Sequence, residues 1–396
     1  MESKQQTVKL EKERTEFVKL LAMNPNYFGT FPQTKLKAVM PMKHNTQYEE
    51  LTCIGFYPEQ DILEATVVVK LPGGYKGSLC TAGSFEYVRF YADWDGDGDF
   101  NDLNEDVGMA RFNAHDIAGG KPLEYCVTVR IDPDRKICTT ERLVKVRGIL
   151  SWNAPPPPNT PDFPPVWGNT VEVWIQIRPV ATKLVDVFDV KKLAPALLAN
   201  INVNQPVSLA KKLTPVELKE LYKGKDVPEL RFNMSYVAKI ATMIQKDPHL
   251  LAKYKVTPQL LATDVAAIYD VAVANLGTIL EPPQNIKYEG LTCVGLNYDE
   301  DRLVAILRVK LPCGYSGGLC TQGSQEYVAF WVDWDKDGFG ANDYVGTASV
   351  NTHDIQKIPS GGLQYACSIR TDFASHRKLC RQPVVLQQGM RMVKAH

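Results

Sequence analysis

The chain repeats itself. Tyr48–Gly98 and Tyr288–Gly338 align without a gap, and roughly 30 of roughly 50 positions are identical. KLPGGYKGSLCTAGSFEYVRFYADWDGDG in the first copy answers KLPCGYSGGLCTQGSQEYVAFWVDWDKDG in the second. A match this long is a duplication, so whatever fold one copy adopts the other must also accommodate.

Each copy reads as β. ATVVVKL and LVAILRVKL are apolar and rich in β-branched residues, while EYVRFYADW and EYVAFWVDW alternate with aromatic enrichment. LEYCVTVRI, LVKVRGILSW and NTVEVWIQI complete the first copy. Short strands parted by Gly, Pro, Asp and Asn clusters suggest an antiparallel sandwich. Between the copies the period becomes helical. LTPVELKELYKG offers Thr214 as N-cap, Pro215 at the first helical position and Glu217 to close a capping box. LRFNMSYVAKIATMIQKDP and VTPQLLATDVAAIYDVAVANLG read as further helices, and another spans Leu10–Met23 before Asn24–Pro25. The expected fold is mainly β with an α segment: two homologous antiparallel β-sandwich domains flanking a helical middle region. The divisions are 1–44 (helix and lead-in), 45–181 (copy one), 182–283 (helical middle) and 284–396 (copy two). Copy two lacks a counterpart of the last strands of copy one, which leaves an open sheet edge; either another segment or subunit supplies the missing strand, or the copy is degenerate and truncated.

Lys+Arg and Asp+Glu balance at 45 each, with no long basic run, which argues against a nucleic-acid partner. No apolar run is long enough to span a bilayer. The N-terminal MESKQQTVKLEKERTEF has no apolar stretch or cleavage site of a secretory signal, so a cytoplasmic location is expected, with signal-independent export as the alternative. The nine cysteines form no CxxC pairs, so buried free thiols are expected, with disulfides if the protein is exported. Three pairs fall in register: Cys53 with Cys293, Cys80 with Cys320, and Cys138 with Cys380 after a short gap. Cys126 and Cys367 land one position apart, hence on opposite strand faces.

The chemistry concentrates in two acidic loops. Asp93, Asp95, Asp97 and Asp99 alternate in copy one, followed by Asn101, Asp102 and Glu105; copy two offers Asp333, Asp335 and Asp337, then Asn342 and Asp343. Alternating carboxylates crowd one face and repel unless a cation sits among them. A hard ion with six to eight oxygen ligands, Ca²⁺ or alternatively Mg²⁺, fits such a loop. With fewer carboxylates, loop two is expected to bind more weakly. The opening spacing follows the EF-hand, but the flanks are strands and the twelfth position is Asn104. The loops contain no His or Cys, which disfavours zinc, copper or iron. A second repeated pair, His115–Asp116 and His353–Asp354, is a candidate base and orienter, although no nucleophile stands nearby and a polar turn is the simpler reading.

FYADWDGDGDFNDLNED resembles the signature of GEVED-type β-sandwich domains of bacterial surface proteins, through Phe90, Trp94, Asp95, Asp97, Gly98, Asp99, Phe100 and Glu105. Copy two keeps Trp334, Asp335, Asp337 and Gly338 but not the following Asp–Phe. The resemblance covers some 20 residues per copy and implies a secreted, cation-stabilised binding module. The whole chain also resembles a group of bacterial proteins that share an NPNYFG start (here Asn24–Gly29), which implies no activity. The favoured expectation is a non-enzymatic, cation-stabilised binding or assembly protein, with a protein partner or self-association through the open edge. The alternatives are a metal-dependent hydrolase of sugar or phosphate esters, with His115–Asp116 as base, and a carbohydrate-binding module for a glycan.

Overall fold

The computed structural model describes residues 2–117, 122–180, 210–228 and 286–377, with short pieces at 182–183, 206–207, 231 and 391–392. The two longer helices expected in the middle region lie outside the described residues, apart from Arg231. Helix α1 (Glu2–Met23) begins earlier than expected and ends where expected. Pro25 has no amide hydrogen to continue the ladder, and the Asn24 side chain accepts from Asn26 N at 2.9 Å. Helix α2 (Pro215–Leu221) carries the expected capping box, with Thr214 and Glu217 bonding reciprocally.

The chain is mainly β, as its alternating segments require. Copy one supplies β1 (Glu49–Tyr57), β2 (Ile62–Val69), β3 (Ser84–Asp93), β4 (Asp106–Ala114), β5 (Leu123–Arg130), β6 (Leu143–Trp152) and β7 (Thr170–Gln176). A small pair, β8 (Thr182–Lys183) and β9 (Pro206–Val207), follows. Copy two supplies β10 (Glu289–Asn297), β11 (Arg302–Val309), β12 (Ser324–Asp333), β13 (Tyr344–Thr352) and β14 (Leu363–Arg370), and β15 (Arg391–Met392) comes last. In copy one, β1-β2-β5 and β7-β6-β3-β4 are antiparallel runs that bury a shared core including Leu51, Ile54, Val67, Phe90, Val146 and Leu150. In copy two, β10-β11-β14 and β13-β12-β15 bury Val304, Ile306, Phe330, Val332 and Tyr365. Within β3, alternate residues face inward, so Glu86 shares a face with Val88 and Phe90.

The three-stranded runs of the two copies meet each other twice. Phe56 on β1 pairs in parallel with Tyr365 on β14, and Leu296 on β10 pairs in parallel with Tyr125 on β5. Since β1 corresponds to β10 and β5 to β14, exchanging the copies carries one junction onto the other. The six strands β1-β2-β5-β10-β11-β14 therefore return to their starting point in a ring related by a pseudo-twofold axis. The equivalent residues Asn351 and Asn113 each reach across to the other copy, although their acceptors lie one position apart in the repeat. Asn351 N donates to Glu59 Oε1 at 3.0 Å, and Asn113 N donates to the Tyr298 hydroxyl at 3.3 Å.

The ring needs a glycine at each junction. A Cβ on Gly55 would stand 2.9 Å from Tyr365 O, and one on Gly295 would collide with Cys126 Sγ. We expect Gly295→Val to destabilise the chain by about 1–3 kcal/mol through overpacking, read by urea unfolding. Gly318→Ala, whose Cβ would meet only Asp354 O at 3.7 Å, is the control and should change little. Equal effects of the two would contradict the close approach.

Both β1 and β10 carry a bulge at the same place, Thr52 and Thr292, just before Cys53 and Cys293. These cysteines form a disulfide, and Cys138 forms another with Cys320. The free-thiol expectation therefore fails for these four. Long-range closure brings their Cα atoms to 6.4 Å and 4.9 Å, which sequence spacing does not disclose. Cys126 and Cys367 are buried thiols, and burial pushes both up, Cys367 to about 12.

The apparent shortfall of copy two is partly made good by its own tail. β15 pairs with β12 at Val332–Met392 and Asp333–Arg391. Those are the counterparts of the positions where β3 meets β6, Ala92–Val146 and Asp93–Lys145. No described helix is long and apolar enough to cross a membrane.

Candidate cation loops

Loop one joins β3 to β4. Its two ends are pinned by buried carboxylates, with Asp93 at 3% and Glu105 at 1% exposure. Asp93 accepts from Gly96 N at 2.6 Å and Gly98 N at 3.1 Å; Glu105 accepts from Trp94 N at 2.9 Å and Asp102 N at 3.0 Å. Gly96 and Gly98 adopt φ of +82° and +96°, a region favoured by glycine. Successive Asx turns shape the exposed rim: Asp97 N bonds Asp95, Asp99 N bonds Asp97 and Asn101 N bonds Asp99, at 3.1, 2.9 and 2.9 Å. Phe100 anchors the outer part among Tyr91, Ile149 and Phe163, under the Arg147 guanidinium at 4.4 Å.

Carboxylate oxygens of Asp93, Asp95 and Asp97 lie within 4.8 Å of one another, as do those of Asp95, Asp102 and Glu105. Crowding and burial raise the proton affinity of two loop carboxylates. A hydrogen bond to Asp95, and then its charge, push Asp102 above the usual carboxylate range, and burial pushes Glu105 up. Of the residues expected as ligands, Asp99 lies outside both carboxylate clusters and accepts from Asn101 N, and Asn101 is exposed on the same rim.

Loop two joins β12 to β13. Asp333, Asp335 and Asp337 converge within 4.8 Å, and the nearby charge of Asp343 adds to the effect of Asp335 in pushing Asp337 up. Asn342 lies in a short turn, and Asp343 accepts from Gly340 N at 2.7 Å. The decisive difference is at Asp333. Its side chain is buried, at 1% exposure, and neither oxygen has a hydrogen-bond partner. Its counterpart Asp93 is satisfied by two glycine amides, whereas loop two carries Lys336, held at φ 71°, where loop one has Gly96. A buried ionised carboxylate without donors is unfavourable by several kcal/mol. A cation among them would satisfy both oxygens and the two neighbouring carboxylates together. Hard oxygen donors throughout suit Ca²⁺ or Mg²⁺.

The His–Asp pairs do other work. Asp116 accepts from Tyr75 N at 2.8 Å and Gly77 N at 2.9 Å, and His115 Nε2 lies 3.2 Å from Thr81 O. Asp354 accepts from Tyr315 N at 2.7 Å and from the Tyr222 hydroxyl at 2.8 Å. Both aspartates thus hold the glycine-rich connection after β2 or β11, and burial pushes His353 down. The acidic clusters include none of His115, Asp116, His353 and Asp354. A cavity of about 360 Å³ opens beside Cys53 at the seam, walled by Trp174, Lys145, Glu172, Thr292 and Arg308, and neither the loops nor the His–Asp pairs line it.

Sequence reading missed a duplicated arginine socket. Arg14 from α1 bonds Gly74 O through Nε at 3.0 Å and both Glu49 oxygens at 3.0 and 2.8 Å. Its guanidinium lies 4.0 Å from the Tyr48 ring and 3.8 Å from Trp152. In copy two Arg231 repeats this with Gly314 O at 2.8 Å, Glu289, and the Tyr288 ring at 4.0 Å. A second glutamate faces each arginine site, the buried Glu86 in copy one and the half-buried Glu326 in copy two. The available signal was a glutamate on the inward face of β3 and of β12, at the same place in both copies. Among known proteins, no family model, no curated protein and no solved structure matches this chain.

Proposed function

We propose that the chain is a non-enzymatic, cation-stabilised binding or assembly protein built from two GEVED-like β-sandwich copies around a helical middle. The observation that carries this reading is the convergence of three alternating aspartates in both loops, with Asp333 buried and lacking any donor. Loop one would use Asp93, Asp95, Asp97, Asp102 and Glu105; loop two would use Asp333, Asp335 and Asp337. A bound Ca²⁺ would neutralise the crowded charge and fix the turn at the end of each aromatic strand, presenting that end of the molecule to a protein partner. The two disulfides between copies favour an oxidising compartment outside the cytoplasm, where calcium is also plentiful. The hydrolase reading has no convergence of base and cation site to support it.

The test is a thermal melt of the full chain after chelation and again with added Ca²⁺ or Mg²⁺. Stabilisation should follow RT ln(1 + [L]/Kd), about 2.7 kcal/mol at a hundredfold excess over Kd. Asp95→Ala and Asp335→Ala should each remove part of the gain, and the double variant nearly all of it. A melting curve that neither chelator nor cation moves would sink the proposal.

A further inference from the structure

We infer that Cys80 and Cys380 form a third disulfide between the two copies. The two described bridges behave differently when the copies are exchanged. Cys53–Cys293 joins equivalent positions, so it sits on the pseudo-twofold axis and is its own mate. Cys138–Cys320 joins positions that are not equivalent: Cys320 is the counterpart of Cys80, and Cys138 is the counterpart of Cys380. Exchange of the copies turns this bridge into one between Cys380 and Cys80. In a twofold arrangement an off-axis contact has a mate.

Cys80 is presented as Cys320 is. Thr81 Oγ1 and Thr321 Oγ1 bond Ser78 O and Gly318 O, each at 2.7 Å, and Gly83 N and Gly323 N bond the same hydroxyls at 3.3 and 3.2 Å. Asp116 and Asp354 hold the turn from the other side by the amides of Tyr75 and Tyr315. Cys80 is exposed, at the surface of this turn. Cys138 follows β5, and Cys380 follows the corresponding β14. Cys380 lies outside the described residues, so its pairing is assigned from the register of the repeat and the geometry of the mate.

The odd cysteine count agrees. Cys126 stands opposite Thr66 where the equivalent pair is Ala366 opposite Ile306, so neither Cys126 nor Cys367 has a cysteine counterpart. Cys313 stands where copy one has Gly73. The cysteines with counterparts are those that bridge, and the three without remain thiols. Each bridge forms by exchange with the disulfide of an oxidoreductase or of oxidised glutathione. One thiolate displaces an acceptor sulfur, the second thiolate then displaces the other, and the acceptor leaves as two thiols carrying the two electrons and two protons.

The full chain, oxidised and blocked with a maleimide under denaturing, non-reducing conditions, is digested and read by mass spectrometry. The expected result is a linked Cys80–Cys380 peptide beside the other two bridges, with maleimide on Cys126, Cys313 and Cys367 alone. In the folded Cys380→Ser variant, Cys80 should become reactive while Cys53–Cys293 and Cys138–Cys320 persist. Maleimide on Cys80 or Cys380 of the oxidised wild-type chain, either residue linked elsewhere, or a C380S chain whose Cys80 stays unreactive would overturn the inference.

Discussion

Arg14→Ala lowers the stability of the chain by about 3–5 kcal/mol, the loss expected when one member of a buried ion pair is removed and the other stays. Arg14 is 2% exposed and Glu49 is fully buried, so water cannot replace the missing guanidinium. The substitution also empties the space between the Tyr48 and Trp152 faces, forfeiting cation–π attraction and packing together. Urea unfolding at neutral pH measures the loss. Charge rather than volume should dominate, so Arg14→Met with Glu49→Gln, which removes both charges, should recover much of it. A double variant as unstable as Arg14→Ala would place the effect in packing alone. Arg231→Ala should act in the same direction in copy two but less strongly, because Arg231 and Glu289 are 18% and 25% exposed.

How α1 comes to matter this much shows where the sequence is legible and where it is not. Strands were readable because alternation is local: Ser84, Glu86, Val88 and Phe90 share one face by chain geometry alone. The α2 capping box was readable because Thr214 and Glu217 satisfy each other three residues apart. The aspartate clusters were readable for the same reason, since i, i+2 and i+4 project together before any tertiary contact is made. Pairings set by closure of the chain were not readable. Nothing near Arg14 names Glu49 as its partner, and Arg231 lies in a region where the repeat does not align. Cys53 and Cys293 align but do not announce that equivalent positions meet, because the meeting depends on the ring of strands. Asp333 differs from its counterpart Asp93 because backbone amides, rather than carboxylate number, decide which oxygens are left without partners.

The same sockets make stability fall as pH rises. Each holds one arginine against two glutamates, so one carboxyl is surplus. Arg231 is already engaged by Glu289, and burial pushes Glu326 up to about 7 with the Glu289 charge adding to it. Glu86 is fully buried, neither of its oxygens has a partner, and burial with the Glu49 charge holds it well above the carboxylate range. A carboxyl whose folded pKa lies above its unfolded value binds its proton more tightly in the native state. The Glu326 contribution is therefore complete below about pH 4.5 and is lost as pH rises through about 7, and that of Glu86 is lost in the same direction. For Glu326, a shift of that size corresponds to roughly 3 kcal/mol of pH dependence. Glu86→Gln with Glu326→Gln removes the surplus charge while keeping size. That variant should match the wild type near pH 4 and exceed it by several kcal/mol at pH 8, by denaturant unfolding across the range. Parallel profiles for the two chains would mean that both glutamates ionise without penalty, and the surplus carboxyls would then need a compensating partner in each socket.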